Sequence, residues 1–100
     1  MKLRKYISKI KELYRAFPDR SDPHRYCTHA AMGLACEAGE VLDIFRESAY
    51  TGEVAENDKI EDELGDVLFY FMCLVHEYGF SLEDIAAKNI RKLKERNKNG

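Results

Sequence analysis

"EAGEVLDIF", residues 37–45, returns 26 residues later as "ELGDVLFYF", residues 63–71. Both stretches read acid, apolar, Gly, acid, Val, Leu, two variable residues, Phe. Neither alternates with the period of a strand. At about 100° per residue their Val, Leu and Phe fall on one side of a helix. The repeat therefore predicts two related helices, each with two carboxylates at i, i+3 spacing on adjacent turns.

Working outward, the helix around the first copy carries an apolar stripe of Ala31, Leu34, Ala38, Val41, Leu42 and Phe45. Glu37 lies at its edge, and Glu40 about 60° further round on the same flank. Around the second copy the stripe is Ile60, Leu64, Val67, Leu68, Phe71, Leu74 and Val75, with Glu63 and Asp66 at the same two offsets. Two helices packed by such stripes can turn these flanks toward each other. Gly39 and Gly65 stand inside the copies, where a mid-helix glycine costs about 1 kcal/mol relative to alanine. Their matched places predict a close approach by a neighbouring helix or a ligand.

The remaining chain fits an all-α, four-helix bundle-like domain spanning residues 1–100. Leu3, Tyr6, Ile7, Ile10, Leu13, Tyr14 and Phe17 recur at steps of three and four, giving an amphipathic first helix. Pro18 and Pro23 break the chain, and residues 18–29 are expected to include a pocket-lining loop. The second helix is predicted over 26–50, stopping near Gly52. Asp58 with Glu61 reads as a capping box for the third, which ends at Gly79, and Ser81 with Asp84 opens the fourth. The motif-bearing part is about 26–96, and a polar tail, 97–100, is expected to fray.

Composition narrows the function classes. The net charge is −2, and basic residues gather near the ends rather than in a patch interleaved with aromatics. No nucleic-acid polymer is expected as partner. No apolar run approaches the roughly 18 residues of a membrane span. The basic N-terminus lacks the apolar core of a signal peptide. Cys27, Cys36 and Cys73 are odd in number and have no CxxC spacing, which fits small hydrophobic residues in a reducing cytoplasm. A chain this short gains by pairing with a second copy to cover its apolar faces.

Four carboxylates brought together repel one another unless a cation sits between them, and one stranded buried charge costs several kcal/mol. Hard divalent cations take oxygen ligands, so Glu37, Glu40, Glu63 and Asp66 make a candidate Mg²⁺ site, with Mn²⁺ a possible substitute. A single ExxE among 18 acids usually marks a solvated helix face. Packing explains the apolar half of the repeat but not its acids. Glu-x-x-His pairs, as in di-iron bundles, are missing from both motifs, as are HExxH, a glycine-rich phosphate loop and a spaced Ser-His-Asp set.

In the fourth helix, Asn89 interrupts a stripe of Leu82, Ile85, Ala86 and Leu93, with Lys92 and Arg96 along the same side. Such cations suit phosphate oxygens, or else snorkel to solvent around a satisfied core amide. Lys59, one turn before Glu63, is a further phosphate candidate or a salt-bridge partner. His29 and Tyr70 are candidate pocket residues, although a lone histidine is more often structural.

"GLACEAGEVLD", "EDELGDVLFYF" and "KNIRKLKER" together resemble the MazG-like all-α nucleoside triphosphate pyrophosphohydrolases. Their ExxE, spacer, ExxD signature is Glu37-x-x-Glu40, 22 residues, Glu63-x-x-Asp66. The resemblance implies that the four acids bind Mg²⁺, which grips the triphosphate of a nucleotide. Water then cleaves between the α- and β-phosphates, giving a monophosphate and pyrophosphate. Asn89, Lys92 and Arg96 would hold phosphates, and the site would be built in a homodimer or homotetramer. Glu37 is the choice for the proton-accepting base, and otherwise only a ligand. Many relatives carry an acid just before the first motif; here Cys36 stands there, while Asp62 adds one before the second. A phosphoribosyl-ATP pyrophosphatase-like activity, or a non-catalytic nucleotide-binding or oligomerisation module, are the alternative functions.

Overall fold

A computed structural model describes residues 1–14 and 22–99. It contains helices α1 (Leu3–Tyr14), α2 (Pro23–Thr51), α3 (Asn57–Glu77) and α4 (Leu82–Asn99). No strand occurs among the described residues, so the domain is all-α as expected.

Local chemistry sets the ends. The Asp22 carboxylate accepts the backbone N–H groups of His24 at 3.1 Å and Arg25 at 3.4 Å. Pro23 therefore opens α2 instead of breaking the chain, because its missing N–H would have had no helical partner there. Residues 23–29 are thus helical, and the expected pocket loop shrinks accordingly; Phe17 and Pro18 lie outside the described residues. Gly52, at φ 78°, closes α2 through its N–H to Ser48 O at 2.9 Å.

The Asp58–Glu61 capping box does not form. Glu56 takes the cap position without a side-chain bond, and Asp58 lies in the first turn, where it complements the helix dipole. Gly79, at φ 66°, follows α3, and Phe80 N–H reaches back to Val75 O at 3.0 Å. Ser81 Oγ accepts from Asp84 N–H at 3.3 Å, as its sequence predicts. The helix then runs on to Asn99, through the tail expected to fray. Acids in its first turn and Arg96 and Lys98 in its last favour that extension.

Joined by a short turn, α2 and α3 form an antiparallel hairpin. The buried core gathers at one end of it: Ile10 of α1, Tyr26 and Ala30 of α2, and Met72, Cys73 and Val75 of α3. Full burial of a side chain such as Ile10 contributes about 1.5–3 kcal/mol, which holds α1 against α3. The expected stripes are buried only in part: Val75 is in the core and Phe71 and Leu74 pack against it, but several residues nearer the acids are open. Leu42 is 62% exposed and Phe45 50%, and Leu64 and Leu68 are also exposed. The seam instead runs along Tyr26, Ala30, Gly33 and Glu37, where small side chains let the helices approach. Leu42, Phe45, Leu64 and Leu68 are left facing outward.

Only the start of α4 joins the rest, through half-buried Leu82 and Ile85. Every residue from Ala86 to Lys98 is exposed. The radius of gyration is 16.4 Å, against about 13 Å for a compact domain of this length. The chain does not close a bundle on itself.

Candidate functional site

Along the hairpin seam, environment changes with each turn. At the dry end Ala30 and Cys73 are 2% and 0% exposed. The next layer is Tyr70 of α3, whose ring lies over Gly33 of α2. One turn further on each helix come Glu37 and Asp66, with Glu63 beside them. One carboxylate oxygen from each of Glu37, Glu63 and Asp66 lies within 4.8 Å of the other two. Glu37 and Glu63 are half-buried, and Asp66 is exposed.

Partial burial pushes the Glu63 carboxyl above its ordinary range; Asp66, Glu37 and Glu40 add repulsion, and a hydrogen bond with Glu37 adds to the shift. Glu40 is thus near enough to be felt, although it is exposed and outside the tight trio. Ion pairs join Lys9 to Glu12 and Arg46 to Asp43, and neither of these touches the trio. The cluster consists of carboxyl groups alone, crowded together and like-charged when ionised. Such oxygen donors fit a hard divalent cation, which would relieve the repulsion.

The other candidates are placed differently. Lys59 lines a recess of about 100 Å³ at the turn end of the hairpin, with Glu47, Glu53 and Glu56 around it. Those acids disfavour a phosphate there. Asn89, Lys92 and Arg96 are all exposed on α4, so Asn89 is not a core amide and the expected basic side is not packed around the trio. His29 is exposed and presents its ring edge-on to Tyr70, with centroids 6.5 Å apart. Phe69 flanks the same ring at 5.3 Å.

A Cβ added at Gly39 or Gly65 would meet nothing within 4 Å, so the predicted close approach does not occur there within the chain. It occurs at Gly33 instead. Counting four residues back from Glu37 and four on from Asp66 reaches Gly33 and Tyr70. Antiparallel pairing of the two motifs would therefore have revealed this contact. Tyr6 of α1 was also missed: burial, then Cys73 and Asp66 nearby, raise its phenol above the ordinary tyrosine range. It reads as one more stripe residue, and no sequence signal ties it to Asp66.

An all-α hairpin thus brings carboxylates from both helices together into one oxygen-donor cluster. The chain matches the MazG nucleotide pyrophosphohydrolase domain over residues 28–100, and it belongs to that family. It is also 30% identical over 77 residues to the Gene 37 protein of Mycobacterium phage L5, across 73% of this chain and 68% of that protein. No solved structure gives a significant match. No described helix is long and apolar enough to cross a membrane.

Proposed function

We propose that the protein is a Mg²⁺-dependent nucleoside triphosphate pyrophosphohydrolase, acting in the cytoplasm on ribo- or deoxyribonucleotides to give a monophosphate and pyrophosphate. The observation that carries this reading is the meeting of Glu37, Glu63 and Asp66, with the Glu63 carboxyl held above its ordinary range by partial burial and then by its neighbours. Glu37, Glu40, Glu63 and Asp66 would hold Mg²⁺, with Mn²⁺ as a substitute. When bound, the cation supplies charge neutralisation on phosphate oxygens.

The chain's own groups do the rest. Glu37, half-buried beside Glu63, accepts the proton of the attacking water. Tyr70 and the core behind it close one end of the site to solvent. Asn89, Lys92 and Arg96 bind phosphate oxygens. In one chain these stand out on α4, while Leu42, Phe45, Leu64 and Leu68 remain exposed on the hairpin. Both facts support a homodimer or homotetramer in which α4 approaches the acids of another copy.

The exposed α4 also favours a second reading, a nucleotide-binding module without turnover. Pyrophosphate release from a panel of nucleoside triphosphates, with Mg²⁺ and with EDTA, separates the two. Cation-dependent release with a monophosphate product is expected. Binding of Mg²⁺ and nucleotide by folded protein without release would sink the enzyme reading.

A further inference from the structure

We infer that the packing of the Tyr70 ring on Gly33 sets the spacing of the carboxylate cluster and thereby its preference for a small divalent cation. This rests on the cation reading of the cluster. A Cβ built on Gly33 would lie 2.6 Å from both Tyr70 Cδ1 and Cζ, and closer still to the atom between them, Cε1. Near-equal distances to three consecutive ring atoms put that Cβ over the face of the ring. The ring is therefore a flat spacer between the α2 backbone and α3.

It is a spacer with little freedom. Phe69 packs edge-on to it at 74°, and His29 at 72°. Behind it, Ala30 and Cys73 are buried, so the ring has no open space toward the core. With the core side closed, parting of the helices is the accommodation that a Cβ at Gly33 would favour.

One turn away, that parting acts on Glu37 against Asp66 and Glu63. Their reach is now short enough for three oxygens to lie within 4.8 Å of one another. Mg²⁺ needs near-ideal geometry at about 2.0–2.1 Å, whereas Ca²⁺ accepts irregular ligands at about 2.3–2.6 Å. A looser cluster penalises the smaller ion first. Gly33 touches neither ion nor nucleotide; it is a positioning residue.

The test is calorimetric titration of the full chain, free of nucleotide, with MgCl₂ and separately with CaCl₂. Gly33→Ala should lower Mg²⁺ affinity about tenfold while Ca²⁺ affinity changes less than about threefold. In a Tyr70→Ala background the same glycine substitution should leave Mg²⁺ affinity unchanged, because the Cβ then has room. That comparison also serves if Gly33→Ala alone does not fold. Equal loss of both cations, or the same Mg²⁺ loss with and without the ring, overturns the spacing role. If the wild-type chain binds neither cation, the cation reading itself falls, and this inference with it.

Discussion

The α2–α3 hairpin and α4 carry the two halves of the expected site, yet the fold treats them oppositely. Within the hairpin, buried Ala30 and Cys73, then Gly33 and Tyr70, lead turn by turn to Glu37 and Asp66. Each carboxylate is aimed by the layer beneath it. On α4, Asn89, Lys92 and Arg96 have no such layer, since the helix is exposed from Ala86 to Lys98. The chain can preorganise repulsion among its acids by itself. It leaves the compensating positive charge on an arm.

The sharpest way to break this contrast is Asp66→Asn. Losing one oxygen ligand should cut pyrophosphate release at least about a hundredfold, because several kcal/mol of charge stabilisation are forfeited. The cation-free variant should melt no lower than wild type, since a like charge beside Glu63 is gone. Parallel activity and circular-dichroism measurements check both. A variant that lost activity by unfolding would contradict the view that these acids oppose folding rather than support it.

Next in size is a paired change in packing. Ala30→Leu forces a larger side chain into the dry seam and should cost about 1–3 kcal/mol in denaturant unfolding. Ile90→Ala, on the exposed arm, should cost under about 0.5 kcal/mol in dilute protein. At higher concentration its melting temperature should fall below wild type if α4 docks on another copy. Equal costs for the two substitutions in dilute protein would mean that α4 is packed within its own chain.

Much of the hairpin could be read from sequence because it depends on local rules. The repeated motif, the 3.6-residue period, Gly52 and the Ser81 cap each act within a few residues. Angular offsets put each acid pair on a matching flank, and Glu37, Glu63 and Asp66 do meet. What failed was the choice of seam. Hydrophobicity nominates Leu42 and Phe45 for burial, but small residues at Ala30 and Gly33 permit a closer helix approach than branched ones do. Gly39 and Gly65 misled for the same reason: a glycine marks room, and sequence does not say whose. Asn89 looked like a core amide only on the premise that α4 packs in its own chain.

The smallest effect is the pH dependence of the cation-free fold. In the folded chain Glu63 keeps its proton to higher pH than in the unfolded chain, chiefly through partial burial and then through Asp66, Glu37 and Glu40. The folded state therefore binds more protons in the interval between the two pKa values. The resulting stabilisation is fully present below the ordinary glutamate range and is lost as pH rises through the raised folded value. Wild-type melting temperature should thus fall, relative to Glu63→Gln, as pH rises from the ordinary glutamate range through the raised folded value. Adding Mg²⁺ should remove that relative fall, because a bound cation favours the ionised carboxylates. A wild-type minus Glu63→Gln difference that stayed flat without cation would mean that the hairpin holds its acids too far apart to oppose one another. The contrast with α4 would then lose its electrostatic basis.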